Sequence, residues 1–260
     1  MQLWRLSWPA VARLPRTIPI VIPIAAVEQH GHHLPVSTDS LLLGEICRRV
    51  EERVGNRVLF APLVWLGNSH HHLDFPGTLS ASPEVYIALL KDLAESFLLH
   101  GFRRILFLNG HGGNIVPAQQ AVFELRQKYR TQPALLLLSA TYWLLGSQAV
   151  RLEGIEQKRM GHACEWETSM VLRLHPEWVG DFRAASPVPL EEWCEPAVRG
   201  WITNERSQVG HIGSPHLANA EKGERLFELF AGHVTEFLER LEAWQPPDSV
   251  PQPQPPGRGQ

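Results

Sequence analysis

Four short apolar runs, most of them followed by a segment of helical spacing, limit what this chain can fold into. The runs are Ile18–Val27, Val58–Val64, Ile105–Leu108 and Ala134–Ser139. Each reads as a buried strand, and even the longest is too short to span a bilayer. Leu43, Ile46, Cys47, Val50 and Val54 recur at helical spacing after the first run. Ser37, Thr38 and Asp39 offer that helix an N-cap, and Gly55 closes it. Ser82-Pro83 opens a second helix, with Tyr86, Leu89, Leu90, Leu93 and Phe97 inward. A third helix has Val122, Leu125 and Tyr129 inward, and Glu167–Leu174 is expected to be helical. A last helix is predicted from about Ala218 to Trp244. Strands alternating with helices imply an α/β fold with a mostly parallel sheet covered on both faces. In such sheets ligands sit beyond the C-terminal strand ends. Glu28 and His30 follow the first run and His111 follows the third, so both fall at one sheet edge.

A chain of 260 residues can bury a sizeable core. A single catalytic domain is expected over 1–244. The proline- and glutamine-rich stretch 245–260 is expected to be disordered. Residues 181–216 are poorly patterned. The net charge of −3 predicts no broad attraction to nucleic acid or to a membrane surface. The cysteines Cys47, Cys164 and Cys194 match no zinc-finger spacing and read as free thiols of a reducing compartment. Arg5, Arg13 and Arg16 before an apolar run imitate a signal peptide. Pro19 and Pro23 interrupt that run, however, and a cytoplasmic location is expected.

Three segments set imidazole beside carboxylate, glycine or both. They are Glu28-Gln29-His30-Gly31-His32-His33 with Asp39 beyond it, Asn109-Gly110-His111-Gly112-Gly113-Asn114, and His162-Ala163-Cys164-Glu165-Trp166-Glu167-Thr168-Ser169. Neutral imidazole with carboxylate is a ligand set for zinc, manganese or iron. Glu28 and His30 are two apart, so an extended segment projects them to one face. Asp39 reads as a ligand, a helix cap, or both. If the third segment is helical, His162 and Glu165 share a face and Glu167 points elsewhere. If it is extended, Glu165 and Glu167 share one. Periodicity leaves this open. His70, His71 and His72 read as pocket residues at most, and Cys164 as small packing volume. The glycines around His111 lack the order of the nucleotide-binding loops.

At these residues the chain resembles the creatininase (creatinine amidohydrolase) family. The resemblance covers roughly residues 18–240. It rests on Glu28-Gln29-His30-Gly31, His33-Leu34-Pro35, Asp39, Phe75-Pro76-Gly77-Thr78, Asn109–Asn114, and His162 with Glu167-Thr168-Ser169. It implies a three-layer α/β/α sandwich and a binuclear metal centre that hydrolyses a C–N amide bond. Two divalent ions per subunit are implied, Zn2+ foremost, with Mn2+ and Fe2+ as alternatives. The metal ligands carry over to Glu28, His30, Asp39 as the bridging carboxylate, and His111. The creatinine-specific enzyme takes a fifth ligand from a glutamate at the place held here by Gly113. Relatives with the Asn-Gly-His-Gly-Gly-Asn form imply Glu167 instead, with Glu165 as the fallback and a substrate-side role. His162 is the implied proton donor to the leaving nitrogen. A homo-hexamer is implied as well. Lys158, Arg159 and Gly161 stand where the creatinine enzyme has other residues, while Trp143 matches a pocket aromatic. The expected activity is metal-dependent hydrolysis of a small cyclic or linear amide by metal-activated water. A metallopeptidase of the mycofactocin type, a formamide deformylase and, further off, an inactive metal-binding homologue are the alternatives.

Overall fold

The computed structural model describes residues 1–146, 152–190, 194 and 196–246. Four strands, β1 (Pro19–Ile24), β2 (Leu59–Phe60), β3 (Arg104–Asn109) and β4 (Leu136–Thr141), form one sheet in the order β2-β1-β3-β4. All three pairings are parallel. The helices are α1 (Trp8–Ala12), α2 (Thr38–Val54), α3 (Pro83–Leu99), α4 (Ile115–Lys128), α5 (Tyr142–Leu145), α6 (Glu165–Leu174), α7 (Thr203–Arg206) and α8 (Ala220–Ala243).

Side chains alternate across a strand, and both faces of the sheet are buried. Ile20, Ile22 and Ile24 of β1 pack with Ile105 and Phe107 of β3 against α3 and α4. Val21 of β1 and Leu106 and Leu108 of β3 point to the other face, where α2, α6 and α8 close a second core. This is the α/β architecture, with helices on both sides of a parallel sheet, that the pattern implied.

The strands are shorter or shifted relative to the apolar runs. The first run leaves the ladder after Ile24, and Val27 pairs outside it with Leu79. The second keeps only two strand residues, at one edge of the sheet. Pro23 lies inside the central β1 without breaking it. Its carbonyl accepts Val64 N at 2.9 Å, on the side where β2 has already ended. Its missing N–H faces that side too, so no ladder bond is lost. The described residues of the weakly patterned 181–216 stretch contribute α7, a 3₁₀ turn at its end and isolated bridges. Of the proline- and glutamine-rich tail, residues 247–260 lie outside the described residues.

A candidate metal centre at the C-terminal edge of the sheet

Glu28 and His30 follow β1, and His111 follows β3, its immediate neighbour. Asp39 occupies the first turn of α2, where the helix dipole favours a carboxylate. Its side chain makes no cap bond. Ser37 is the N-cap, so the capping reading of Asp39 does not hold. The oxygens of Asp39 divide between two histidines: Oδ1 lies 3.1 Å from His30 Nε2 and Oδ2 lies 3.0 Å from His111 Nδ1. Glu28 Oε1 lies 3.3 Å from His111 Nδ1 and 3.6 Å from His162 Nδ1. Glu167 Oε1 lies 3.8 Å from His30 Nε2.

Which ring nitrogen faces the centre follows from what the other one meets. His30 Nδ1 meets the Glu28 carbonyl at 3.1 Å, His111 Nε2 the Asn68 carbonyl at 3.1 Å, and His162 Nε2 the Gln29 carbonyl at 2.7 Å. A carbonyl only accepts, so each of these nitrogens carries the proton. The opposite nitrogen of each ring faces the carboxylates: on His162, which burial keeps neutral, it is bare, and on His30 and His111 it carries the proton that the neighbouring carboxylates hold. Anchoring one N–H on backbone while the other nitrogen ligates is the usual arrangement of metal-binding histidine.

The donor set fits divalent cations. Both oxygens of Glu28 and Oδ2 of Asp39 are buried without a hydrogen-bond partner. Burial disfavours charge on His30 and His111. The Asp39 and Glu167 carboxylates nevertheless hold His30 well above the usual imidazole range, and Glu28 and Asp39 raise His111 to about 10. Burial likewise opposes the charge of Asp39, but His30 and His111 pull its carboxyl well below the usual range. The carboxylates thus demand positive charge between them and the two rings. Cations in that place would displace both protons.

Glu165 and Glu167 diverge because α6 starts at Glu165, so the two residues sit about 200° apart around the helix. Glu167 reaches back toward His30, and its other oxygen meets Cys164 N at 3.4 Å, closing a capping box. Glu165 is fully buried on the α8 side. It accepts from Lys222 Nζ at 2.7 Å and from Gln157 N at 2.6 Å. The expectation that Glu165 serves as fallback ligand or substrate-side carboxylate is therefore corrected: its oxygens are committed to Lys222 and to backbone. His162 lies outside the helix, against the reading that put it on a shared face with Glu165. It is pinned by mutual backbone bonds with Ile212 at 2.8 and 2.7 Å. Ala163 turns the chain between His162 and α6 in the left-handed region, at φ 48°. Burial holds the His162 ring down to about 3, with the charge of His30 acting the same way. Burial pushes the Cys164 thiol up to about 12, in keeping with packing rather than nucleophilic use.

Several residues at this centre had no role assigned from sequence. Asn109 Oδ1 accepts His111 N at 3.0 Å, and its amide donates to the His111 carbonyl, so it shapes the His111 turn. Asn114 ties Asn68 N to the Ala25 carbonyl and so holds the 67–69 loop against the end of β1. Gln29, His72 and Thr203 form a buried cluster behind Glu28. The asparagines stood inside a quoted motif, but nothing local marked what they would touch. Gly113 is required by close approach, since an added Cβ would lie 2.1 Å from Asn68 O and 2.5 Å from His111 Nε2. A cavity of about 820 Å³ opens over the centre. Its floor includes Glu28, Asp39, His111, His162 and Glu167, and its walls include Trp143, Arg159, Trp201 and Arg206.

The sequence profile of the family described as "Creatininase: Creatinine amidohydrolase" matches residues 4–238. The chain is 33% identical over 250 residues to a mycofactocin precursor peptide peptidase of Mycobacterium ulcerans (strain Agy99), covering 92% of this chain and 91% of that protein. A solved creatininase with Mn superposes with a TM-score of 0.76 at 25% identity, covering 92% of this chain and 97% of the other. A creatininase variant of Zn–Zn type gives a TM-score of 0.74 at 26% identity, with the same coverage. With the profile spanning nearly the whole chain and a relative above 30% identity along most of it, the protein belongs to the creatininase family of hydrolases acting on C–N bonds.

Proposed function

We propose that this amidohydrolase uses two divalent ions and cleaves an amide bond in a substrate more extended than a single small ring. The supporting observation is the set of three histidines, each tied by one N–H to a backbone carbonyl and turned by its other nitrogen toward three buried carboxylates. Asp39, with one oxygen toward each of two rings, suits a bridging place. Glu28 and His111 would complete one ion's ligands, and His30 and Glu167 the other's. Zn2+ is the first candidate for this nitrogen and oxygen set, with Mn2+ and Fe2+ as alternatives. When bound, the ions would supply Lewis acidity and a water of lowered pKa. His162 then has the proton traffic. Its Nε2–H is held by the Gln29 carbonyl, so its bare Nδ1 takes the proton from the attacking water. As the C–N bond breaks, the same nitrogen returns that proton to the leaving amine.

Substrate size follows from the cavity. At about 820 Å³ it lies high in the range of roughly 300–1,000 Å³ that holds drug-sized ligands. A short peptide or an extended amide fills such a space better than a lone five-membered ring. The relative named as a peptide peptidase supports this reading. Assembly into a homo-oligomer, a hexamer by family resemblance, belongs to this reading, and light scattering would measure it. The free state of all three cysteines supports a cytoplasmic location. No described helix is long and apolar enough to cross a membrane.

The test strips the protein with a chelator and reloads it with Zn2+, Mn2+ or Fe2+. Each form is assayed on lactams, formamides, linear amides and short peptides. Metal-dependent cleavage of peptides or extended amides is expected, together with loss of metal and of turnover in Asp39→Ala. Turnover that survives stripping, or full metal content in Asp39→Ala, would overturn the reading.

A further inference from the structure

Four imidazoles approach Glu28 and Asp39 closely, and one of them differs from the rest. His30, His111 and His162 each spend a proton on a backbone carbonyl. His72 does the reverse. Its Nδ1 lies 2.8 Å from Gln29 Nε2 and 2.7 Å from Thr203 Oγ1. The orientation of the Gln29 amide is unambiguous, because its Oε1 accepts Gly31 N at 2.9 Å and its Nε2 donates to the Gly210 carbonyl at 3.0 Å. Gln29 Nε2 is therefore a donor, and His72 Nδ1 must accept. The 3.0 Å approach of Gln29 Nε2 to His162 Nε2 is then a meeting of two donors, since His162 Nε2 already gives its proton to the Gln29 carbonyl. Gly210 is placed for this job: an added Cβ would come within 2.2 Å of Gln29 Oε1.

A neutral ring that accepts at Nδ1 carries its proton at Nε2. His72 Nε2 faces Glu28 Oε1 at 3.4 Å. We propose that His72 is a positioning residue, locked by Gln29 and Thr203 into the Nε2–H form so that it donates to Glu28 and sets the direction of that carboxylate. The inference rests on the reading of Glu28 as a metal ligand. At 3.4 Å this approach is not yet a hydrogen bond, and Glu28 Oε1 has no hydrogen-bond partner; the donation is the arrangement expected once the site is filled and its contacts tighten. A role as a further ligand is disfavoured, because a ligating Nε2 would need a proton on Nδ1 pointing at the Gln29 amide hydrogens. Gln29, His72 and Thr203 are all buried. Thr203 begins α7, and its neighbours Trp201 and Arg206 line the cavity wall. The wall that meets substrate is thereby joined to the metal ligand Glu28 through His72.

The experiment measures Zn2+ affinity by competition with a chromogenic chelator, with kcat and KM alongside, for Thr203→Val, Thr203→Ser, His72→Phe, His72→Gln and Glu28→Gln. Loss of an outer partner of a metal ligand costs about 10- to 100-fold in affinity, so Thr203→Val and His72→Phe should fall in that range. Thr203→Ser keeps the hydroxyl, and His72→Gln keeps an N–H at the Nε2 place. Each should recover most of the loss. In Thr203→Val, kcat should fall with KM little changed. If His72→Phe does not fold, judged by the melt of the metal-free protein, Thr203→Val and His72→Gln carry the test. Wild-type affinity in Thr203→Val overturns the proposal, and so does a His72→Gln as weak as the phenylalanine variant. If Glu28→Gln keeps full Zn2+ affinity, the ligand reading of Glu28 fails first and the proposal with it. If Glu28→Gln loses Zn2+ while the Thr203 and His72 variants keep it, only the proposal fails.

Discussion

Glu165 and Glu167 are two residues apart and both carboxylates are buried, yet they face opposite sides of α6. Glu165 balances the Lys222 ammonium in a dry setting. Removing one partner of a buried pair leaves the other uncompensated, at a cost of about 3–5 kcal/mol. Glu165→Gln should therefore lower stability by roughly that amount in a denaturant melt and leave metal content intact. Glu167→Gln should lose about one ion per chain with a much smaller stability change, since only a weak capping contact goes with it. Elemental analysis beside the two melts decides the matter. Metal loss in Glu165→Gln with retention in Glu167→Gln would reverse the assignment.

Between elements, α6 holds Glu167 in place and is itself held by α8 and by the His33 loop. Gly223 of α8 packs on the α6 backbone, where an added Cβ would lie 2.0 Å from the Ser169 carbonyl oxygen. Alanine usually favours a helix over glycine by about 1 kcal/mol. A clash with backbone cannot be relieved by a rotamer, so overpacking of about 1–3 kcal/mol should outweigh that gain. Gly223→Ala is expected to melt earlier and, by displacing α6, to bind metal more weakly. A melt equal to or above wild type would refute the close-packing account. His33 ties the other side of α6 through Thr168 Oγ1 at 3.0 Å. Burial, with the charge of His211 beside it, lowers its ring from 6.5 to about 4. Between those values the unfolded chain holds a proton that the folded one does not. Stability from this group is therefore complete above about pH 6.5 and is lost as pH falls toward 4. His71, His72, His162 and His211 shift in the same sense and His30 and His111 in the opposite one, so the contribution appears as a difference. His33→Gln should make the acid limb shallower by up to one proton, about 1.4 kcal/mol per pH unit. An unchanged slope in urea melts across that window would remove His33 from the account.

Across the whole molecule, β1 and β3 lie side by side and deliver their C-terminal loops to one edge. The first turns of α2 and α6 bring Asp39 and Glu167 to the same place. The cavity above is walled by residues from far along the chain, among them Arg159, Gly161 and Trp201. Among the described residues that wall encloses about 820 Å³, and Gly112 and Gly113 add no side chain to grip a small ring. Creatinine turnover should be absent or very weak at saturating metal. An efficiency of about 10⁴ M⁻¹s⁻¹ or more, ordinary for an enzyme on its own substrate, would show the pocket to be smaller in use than in shape.

The order of strands and helices was legible because it depends on local pattern. Apolar runs and 3.6-residue spacing mark β3, β4, α2, α3 and α8 without reference to the rest of the chain. Strand ends were less so: β2 keeps two residues of its apolar run, and β1 stops where its loop departs. The kinds of residue at the centre were also legible, since imidazole and carboxylate clusters after strands carry their chemistry in their type. Periodicity has no phase until a helix start is known, so the preference for Glu167 over Glu165 came from the family resemblance, and the tertiary structure supplied what each carboxylate meets. Only through-space contacts decided which nitrogen each histidine turns inward: a carbonyl from Asn68 for His111, and an amide from Gln29 for His72. Thr203, more than a hundred residues from its partner His72, had no local signal at all.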